Sequence, residues 1–230
     1  MRHRIYTPDP LVDAVTITGE EFHHAAHVVR LRQGEEVELF DGKGNATSGV
    51  VQSIGTTNLI VQIGAPIDSR EATVAIHLAM SIIHLEKFEL VLQKATELGV
   101  RSIIPMETDR QDIRKERYRG KHERWGKIIF EATKQCGRAV IPTLEEPTSF
   151  DHVMQRENKI IFDADVNPNS VLSPQSSVLL IGPEGGWSER EIALAKEHHC
   201  AFEQLGERRL RAETAAIVAC ARHAGVCAPS

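Results

Sequence analysis

From about residue 71 onward, short apolar segments alternate with segments whose apolar residues recur at the period of a helix. Residues 159–162 and 177–181 have the composition of buried strands, and an amphipathic segment with Phe88 and Leu92 on one face ends at Gly99, a good C-terminal cap. Strands that alternate with helices are typical of a mostly parallel sheet. This pattern constrains the fold most strongly, and it predicts an α/β domain over residues 73–230.

The first part of the chain follows a different pattern. Several short strand-forming segments are separated by turns that contain glycine, and one helix over residues 20–30 interrupts them. The sequence therefore predicts a compact β-barrel over residues 1–68. The stretch 64–70 is predicted to be the linker between the two domains.

The apolar runs, the cysteines and the net charge indicate in which compartment the chain works and how it could bind a polyanion. No run approaches the ~18 apolar residues that a membrane helix needs, and the first residues have no apolar core behind their positive charges. None of the four cysteines forms a Cys-x-x-Cys pair, so we expect reduced thiols in the cytoplasm and no membrane partner. With a net charge of −5, binding to a polyanion depends on local basic regions, and residues 110–127 and the N-terminal region both contain one.

Two loops lie where a predicted strand gives way to a predicted helix, residues 181–187 and 205–214. Ligands of open α/β sheets bind at the carboxyl ends of strands, and the glycines of the first loop let the backbone come close to a ligand. The helix after it opens with a capping box from Ser188 to Glu191. In the second loop Arg211 stands just before a helix. Glu213 is predicted to cap that helix, and a role as a catalytic base is the less simple alternative. The sequence therefore predicts one ligand site formed by both loops.

These segments resemble the signature of SPOUT-class methyltransferases, and within that class the bacterial 16S ribosomal RNA uridine-N3 methyltransferases. The matching motifs cover nearly the whole chain in order: His23-His24 with 27–31 and Gly34, then 94–100, then Glu131-Ala132 with Gln135, Arg138 and Pro142, then 182–186, then 205–206 with 210–215. Three positions depart from the family pattern, namely His84, Arg209 and Ala212.

The resemblance implies a trefoil-knotted SPOUT domain behind a PUA-like barrel, and a homodimer in which the partner completes each active site. It implies methyl transfer from S-adenosyl-L-methionine to uridine N3 in 16S rRNA, either free or within the assembled small ribosomal subunit. The residues that it places around the cofactor are Phe162, Ile181, Gly182, Pro183, Glu184, Gly185, Gly186, Leu205, Gly206, Leu210, Arg211 and Thr214.

Further roles are predicted for the arginines. Arg211 is expected to stabilise the uracil anion, because it lies beside the predicted cofactor. Arg4, Arg30 and Arg32 are expected to contact RNA phosphates from the barrel. Gln135 and Arg138 are expected to hold RNA, with the equal alternative that they tie two structural elements together.

Other functions compete with this one. The chain could be an RNA-binding module with a degenerate cofactor site, or a SPOUT enzyme that methylates a different RNA position. An oxidoreductase with a nucleotide cofactor is disfavoured because Gly-x-Gly-x-x-Gly is missing. No metal is expected, since neither His23 with His27 nor the run His198-His199-Cys200 forms a full ligand set.

Overall fold

The fold was analysed in a computed structural model, which describes residues 3–69, 71, 74–164 and 176–224. The chain divides into two compact units. Unit 1 comprises Met1–Glu71 together with Thr133–Ile141, and unit 2 comprises Ala72–Ala132 together with Pro142–Ser230. The sequence analysis did not assign Thr133–Ile141 to the N-terminal unit.

Unit 1 contains a five-stranded sheet in the order β1-β3-β4-β5-β2, in which β1 and β3 are parallel and the other pairs are antiparallel. Its strands are β1 (His3–Tyr6), β2 (Ala14–Ile17), β3 (Glu36–Phe40), β4 (Ala46–Ile54) and β5 (Leu59–Pro66). The register of β4 against β5 shifts twice, and such irregularities bend and twist a strand. Since β5 continues to Pro66, the predicted linker over residues 64–70 is wrong at its beginning.

The core of unit 1 lies between this sheet and a short helical segment. Helix α1 (Gly19–His23) continues directly into a π-helical stretch, His24–Val29, so the helix predicted over residues 20–30 is present with a wider last part. Phe22 and Leu31 are buried against strand residues such as Val37. All five strands contribute side chains to this core, as the predicted barrel requires.

Unit 2 is built on a parallel sheet, as predicted. Its path runs β12-β10-β11-β6-β7-β8, with β9 also pairing with β7. The strands are β6 (Ala75–Ser81), β7 (Ser102–Glu107), β8 (Thr143–Leu144), β9 (Thr148–Ser149), β10 (Lys159–Phe162), β11 (Ser176–Ile181) and β12 (Ala201–Glu203). The predicted fold class, an α/β chain with an N-terminal β unit, is confirmed, and the trefoil knot stays a prediction from the resemblance.

Helices connect these strands and cover the sheet. They are α2 (Leu85–Glu97), α3 (Lys115–Tyr118), α4 (His122–Cys136), α5 (Phe150–Val153), α6 (Glu189–Glu197) and α7 (Ala212–His223). Helix α2 buries Phe88 and Leu92 on the predicted apolar face and packs beside α7. None of the helices in the described parts of the chain is long and apolar enough to span a membrane.

Candidate functional site

The carboxyl ends of three neighbouring strands meet at one edge of the unit 2 sheet. Phe162 at the end of β10 pairs with Ile181 at the end of β11 on one side and with Glu203 at the end of β12 on the other. The loops that leave these strands must therefore start side by side, although they are far apart in the sequence. This is the position at which open α/β sheets bind ligands.

These loops enclose a cleft of about 340 Å³. The loop after β10, the loop after β11 and the segment that leads from β12 into α7 all contribute to its wall. The lining residues are Phe162, Asp163, Ala164, Ile181, Gly182, Pro183, Glu184, Gly186, Trp187, Leu205, Gly206, Arg208, Arg209, Leu210, Arg211, Ala212 and Ala215.

The structure brings together the residues that the resemblance assigned to the cofactor, except Gly185 and Thr214. The Gly185 carbonyl oxygen instead accepts a hydrogen bond from the Arg110 guanidinium at 3.3 Å, and a Cβ at Gly185 would lie 3.2 Å from the Arg110 Cβ. Thr214 is exposed on α7 and does not line the cleft. Neither residue lines the cleft, and their assignment to the cofactor stays a prediction.

Trp187, the last residue of the predicted loop 181–187, forms part of the cleft wall. Its indole Nε1 donates a hydrogen bond to the Phe162 carbonyl oxygen at 3.1 Å, and its ring lies 5.4 Å from the ring of Phe150. A Cβ at Gly182 would approach the indole to 3.0 Å, so glycine is needed there for space. The indole therefore joins the loops after β10 and β11.

Asp163, Ala164 and Ala215 also line the cleft and lie outside the two predicted loops, whereas Arg208 and Ala212 lie within 205–214 but were not named as cofactor residues. A usable signal existed for the first two, because residues that directly follow a buried strand lie at the ligand edge of a parallel sheet. For the alanines no sequence signal distinguishes a cleft wall from a helix core.

Two glycines shape the backbone of the cleft. Gly186 has φ +69° and donates its backbone N–H to the Pro183 carbonyl oxygen at 3.0 Å, which closes a tight turn. Gly206 has φ +108°. A Cβ at either position would meet nothing within 4 Å, so conformation, not crowding, demands glycine, and open space lies beside the backbone for a ligand.

The loop 181–187 is anchored at its end by the predicted capping box. The Ser188 hydroxyl accepts the Glu191 N–H at 3.1 Å, and the Glu191 carboxylate accepts the Ser188 N–H at 2.8 Å. Glu191 is fully buried, and its other oxygen accepts the Asp109 N–H at 3.0 Å. A single carboxylate therefore joins the loop after β7 to the start of α6.

The Asp109 side chain reinforces this anchor. It forms a two-pronged ion pair with Arg190, both distances being 2.9 Å, and accepts a hydrogen bond from the Ser188 hydroxyl at 2.6 Å. The hydrogen bonds from Arg190 and then from Ser188 lower the pKa of Asp109 below its usual value of 3.8.

The prediction that Glu213 caps α7 by hydrogen bonding is wrong. Arg211 is the N-cap residue, and no side-chain hydrogen bond closes this end of the helix. Glu213 Oε1 instead lies 3.7 Å from Lys87 Nζ, which also contacts Glu184 Oε1 at 3.2 Å. Glu213 Oε2 is buried and has no hydrogen-bond partner among the described residues. This carboxylate oxygen without a partner belongs to the residue after Ala212, which lines the cleft, although Glu213 itself does not.

Arg4, which was predicted to contact RNA, is used inside unit 1. Its guanidinium donates to the carbonyl oxygens of Thr133 and Lys134 at 3.2 and 3.3 Å and to that of Arg138 at 2.9 Å. The same group lies 4.5 Å above the ring of Phe40, so the side chain is only 11% exposed. These contacts give Arg4 a structural role, because a cation bound by helix-end carbonyls favours the fold.

Arg138 is likewise enclosed. It is 4% exposed and pairs with Glu71 Oε2 at 2.8 Å. Glu71 Oε1 also accepts the backbone N–H groups of Ala139 and Val140 at 3.2 and 3.1 Å. For Arg138 this corresponds to the alternative in which it ties structural elements together, and it leaves Gln135 exposed beside it.

Arg30 and Arg32 remain available at the surface of unit 1. Both are exposed, and Arg30 ends the π-helical stretch in the left-handed region with φ +61°. Within the part of the chain that the structure describes, no three His, Cys, Asp or Glu side chains come together as a metal site. Cys200 is instead buried, and burial raises the pKa of its thiol to about 11.

Comparison with known proteins adds the following similarities. The family described as RNA methyltransferase domain matches residues 70–224, and the family described as RNA methyltransferase PUA domain matches residues 17–64. Ribosomal RNA small subunit methyltransferase E of Bacillus subtilis is 30% identical over 89% of this chain and 87% of its own length. The enzyme of the same name from Rickettsia conorii is 30% identical over 96% of this chain and 94% of its own.

A solved structure is similar over nearly the entire chain. Ribosomal RNA small subunit methyltransferase E from Neisseria gonorrhoeae, bound to S-adenosyl methionine, superposes with a TM-score of 0.85 at 28% identity. The match covers 98% of each chain, so it includes both units.

Proposed function

The chain belongs to the RNA methyltransferase family, and we propose that it transfers a methyl group from S-adenosyl-L-methionine to N3 of a uridine in 16S ribosomal RNA. The observation that carries this proposal is the cleft formed by residues 181–187 and 205–212 at the carboxyl edge of the sheet. Its relatives are named for the small-subunit RNA, and the N3 position comes from the resemblance of the sequence motifs.

The residues of the cleft fit the proposed cofactor. Open space beside Gly186 and Gly206 exposes backbone groups that can bind polar parts of a ligand, while Leu205 and Leu210 offer apolar walls. The cofactor, when bound, supplies an electrophilic methyl group on a sulfonium. Phe162 and Ile181 at the strand ends complete the set that we propose for holding it.

Uracil N3 carries a proton in the neutral base, and this proton must leave before or during methylation. Arg211 lines the cleft from the position just before α7, where its guanidinium can hydrogen-bond to a carbonyl oxygen of uracil. Such a donor stabilises the negative charge that spreads over the base when N3 loses its proton. N3 also lies on the pairing edge, so the target uridine must be unpaired or extruded.

Glu213 is the acceptor that we propose for this proton. Its Oε2 is buried without a hydrogen-bond partner among the described residues, and Lys87 holds the other oxygen in place. In the proposed step Glu213 Oε2 would accept the N3 proton, which would leave the N3 electron pair available for the methyl group that the bound cofactor would supply. The carboxyl group then releases the proton to water.

Binding of the RNA is assigned in part to unit 1. Arg30 and Arg32 are the cations that we propose for phosphate contacts, whereas Arg4 and Arg138 are left out because carbonyl oxygens and Glu71 already occupy them. Removal of a phosphate contact should weaken RNA binding and flatten its dependence on salt. Gln135 is exposed, and we propose that its side-chain amide also contacts the RNA.

We also propose that the chain acts as a homodimer, as the resemblance implies. In unit 2, Leu90 on α2 and Val218 on α7 are 40% and 37% exposed, and these two helices pack side by side. Exposed apolar side chains on neighbouring helices suit a subunit interface. Analytical ultracentrifugation of the wild type and of a Val218→Glu variant tests this, with a monomeric wild type contradicting the proposal.

The activity itself is tested by mass mapping of ribosomal RNA from cells that lack this chain. Loss of one 3-methyluridine from 16S rRNA is expected, with restoration by the wild-type gene. Loss of a methyl group elsewhere would point to a different RNA position. If rRNA methylation is unchanged in these cells and the purified chain still binds RNA, the chain is an RNA-binding module and not the methyltransferase.

Arg211→Ala and Glu213→Gln separate the two proposed roles in a purified system. Glu213→Gln should bind S-adenosylhomocysteine like the wild type in calorimetry, and both variants should lose turnover by about 10²-fold or more. Only the Glu213→Gln rate should recover at alkaline pH, because ionised uracil needs no base. Normal turnover of either variant at neutral pH would contradict the role proposed for that residue.

A further inference from the structure

A second concavity of unit 2, here named the α3–α4 pocket, lies at the start of helix α4 and has a volume of about 190 Å³. Lys115, Tyr118 and Arg119 line it from α3 and the residue after it, and His122 and Trp125 line it from α4. The pocket falls within the basic stretch 110–127, which the proposed methyl transfer does not use.

Two nitrogen atoms in the wall of this pocket are buried without a hydrogen-bond partner among the described residues. They are the indole Nε1 of Trp125 and Nε2 of His122, each with less than 1 Å² of accessible surface. Trp125 as a whole is fully buried, and its ring packs 4.8 Å from that of Phe88. An indole N–H can only donate, and no acceptor among the described residues bonds to this one.

The charges around these nitrogens favour an anionic acceptor. Arg119 is exposed and has no acidic partner among the described residues. Lys115 lies 3.1 Å from Glu107, and the Tyr118 hydroxyl donates to the same carboxylate at 2.6 Å, so the negative charge of Glu107 is already matched.

Glu146 is the remaining acidic residue of the pocket. It lies 3.6 Å from His122 Nε2, but its side chain is 82% exposed, so water weakens its field and it can turn outward. The His122 side chain is 42% exposed, so solvent reaches part of its ring.

The pocket lies at the same edge of the sheet as the cleft. Glu107, which pairs with Lys115, is the last residue of β7, and Pro147 in the pocket wall precedes β9, which pairs with that strand end. The connection from β7 toward α3 also contacts the loop 181–187, because the Arg110 guanidinium donates a hydrogen bond to the Gly185 carbonyl oxygen at 3.3 Å. An RNA strand that brings a nucleotide to the cleft therefore approaches this edge.

We propose that the α3–α4 pocket binds a phosphate group, with the Trp125 indole N–H and the Arg119 guanidinium as its donors. Phosphate oxygens accept hydrogen bonds from neutral donors and charge-assisted ones from arginine. We assign this phosphate group to the backbone of the substrate RNA. This last assignment rests on the proposed function, whereas the phosphate site itself does not.

Nuclear magnetic resonance tests the proposal directly, because the chain has two tryptophans and hence two indole N–H signals. The signal that is lost in Trp125→Phe belongs to the pocket. Titration with inorganic phosphate, with uridine monophosphate and with a short RNA of the target region should shift this signal in a saturable way. A Trp125 signal that stays in place with all three ligands overturns the phosphate site.

A pair of arginine variants supplies the matched control. Arg119 lines the pocket, while Arg117 belongs to α3, is equally exposed and does not line it. Arg119→Ala should weaken RNA binding about tenfold and reduce its salt dependence, and Arg117→Ala should change affinity less than twofold. Equal losses in the two variants contradict a specific site. Because neither residue is buried, both variants are expected to fold.

A competition experiment between RNA and uridine monophosphate tests whether the bound phosphate group belongs to RNA. If the RNA occupies the pocket, it should displace uridine monophosphate from the Trp125 signal at a lower concentration than the mononucleotide needs to bind. Failure of RNA to displace the mononucleotide overturns the assignment to RNA. Absence of methylation with a persisting phosphate-induced shift would contradict the proposed function and leave the phosphate site standing.

Discussion

Removal of the Glu191 carboxylate should destabilise the fold of unit 2 far more than removal of its neighbour Glu189. Glu191 is fully buried and accepts the backbone N–H groups of Ser188 and Asp109, at 2.8 and 3.0 Å. In Glu191→Ala both donors lose this acceptor. The Ser188 hydroxyl still caps α6 in this variant, but two hydrogen bonds to a charged acceptor are lost. Each such bond contributes about 1.5–3 kcal/mol, and water can partly replace the lost acceptor at these half-buried groups, so a loss of roughly 3 kcal/mol is expected.

Thermal unfolding followed by circular dichroism measures this loss. At about 2–4 °C per kcal/mol for a chain of this size, the midpoint should fall by roughly 6–12 °C. Glu189→Ala is the matched control, since Glu189 opens the same helix, is exposed and has no side-chain partner among the described residues. Its midpoint should stay near that of the wild type.

A functional readout accompanies the stability measurement. Because Ser188 directly follows the loop 181–187, loosening of its cap should also weaken calorimetric binding of S-adenosylhomocysteine at a temperature where the variant is folded. Equal unfolding midpoints for Glu191→Ala and Glu189→Ala would refute the argument that the buried carboxylate holds these two loops.

Two further predictions concern the cleft and the thiols. Gly182→Ala should weaken S-adenosylhomocysteine binding at least tenfold in calorimetry, because the new Cβ would lie 3.0 Å from the Trp187 indole, whereas Gly126→Ala should bind normally, since its Cβ would meet nothing within 4 Å. Burial raises the pKa of the Cys220 thiol to about 12, so at pH 8 this thiol should react with an aromatic disulfide reagent only after unfolding, while the partly exposed Cys136 reacts in the folded protein. Rapid native modification of Cys220, mapped by mass spectrometry, would contradict the burial of α7.

The features that the sequence predicted correctly are those with local signals. The capping box from Ser188 to Glu191 follows from two residues at the right spacing, and the apolar face of α2 from the helical period. The parallel sheet follows from the alternation of strands and helices, and the two glycine-containing loops can be read because each lies between such elements.

The errors arise where a residue's role depends on distant parts of the chain. Glu213 stands in a good position to cap α7, but Lys87, from another helix, binds it instead. Arg4 looks like a surface cation in the sequence, yet carbonyl oxygens about 130 positions away bind it. No local pattern distinguishes an arginine that faces solvent from one that closes a helix end.

By itself, the sequence determined the main elements, the fold class and a ligand site at two loops, because these depend on composition, period and short-range spacing, while the resemblance of its motifs indicated an RNA methyltransferase. Only the tertiary structure decided which strand ends are neighbours. The pairing of Phe162 with both Ile181 and Glu203 is a non-local choice of strand order, and it sets three loops side by side as one cleft. The same non-local packing draws Thr133–Ile141 into unit 1 and encloses Arg138, because a buried charge must find its partner wherever the fold provides one.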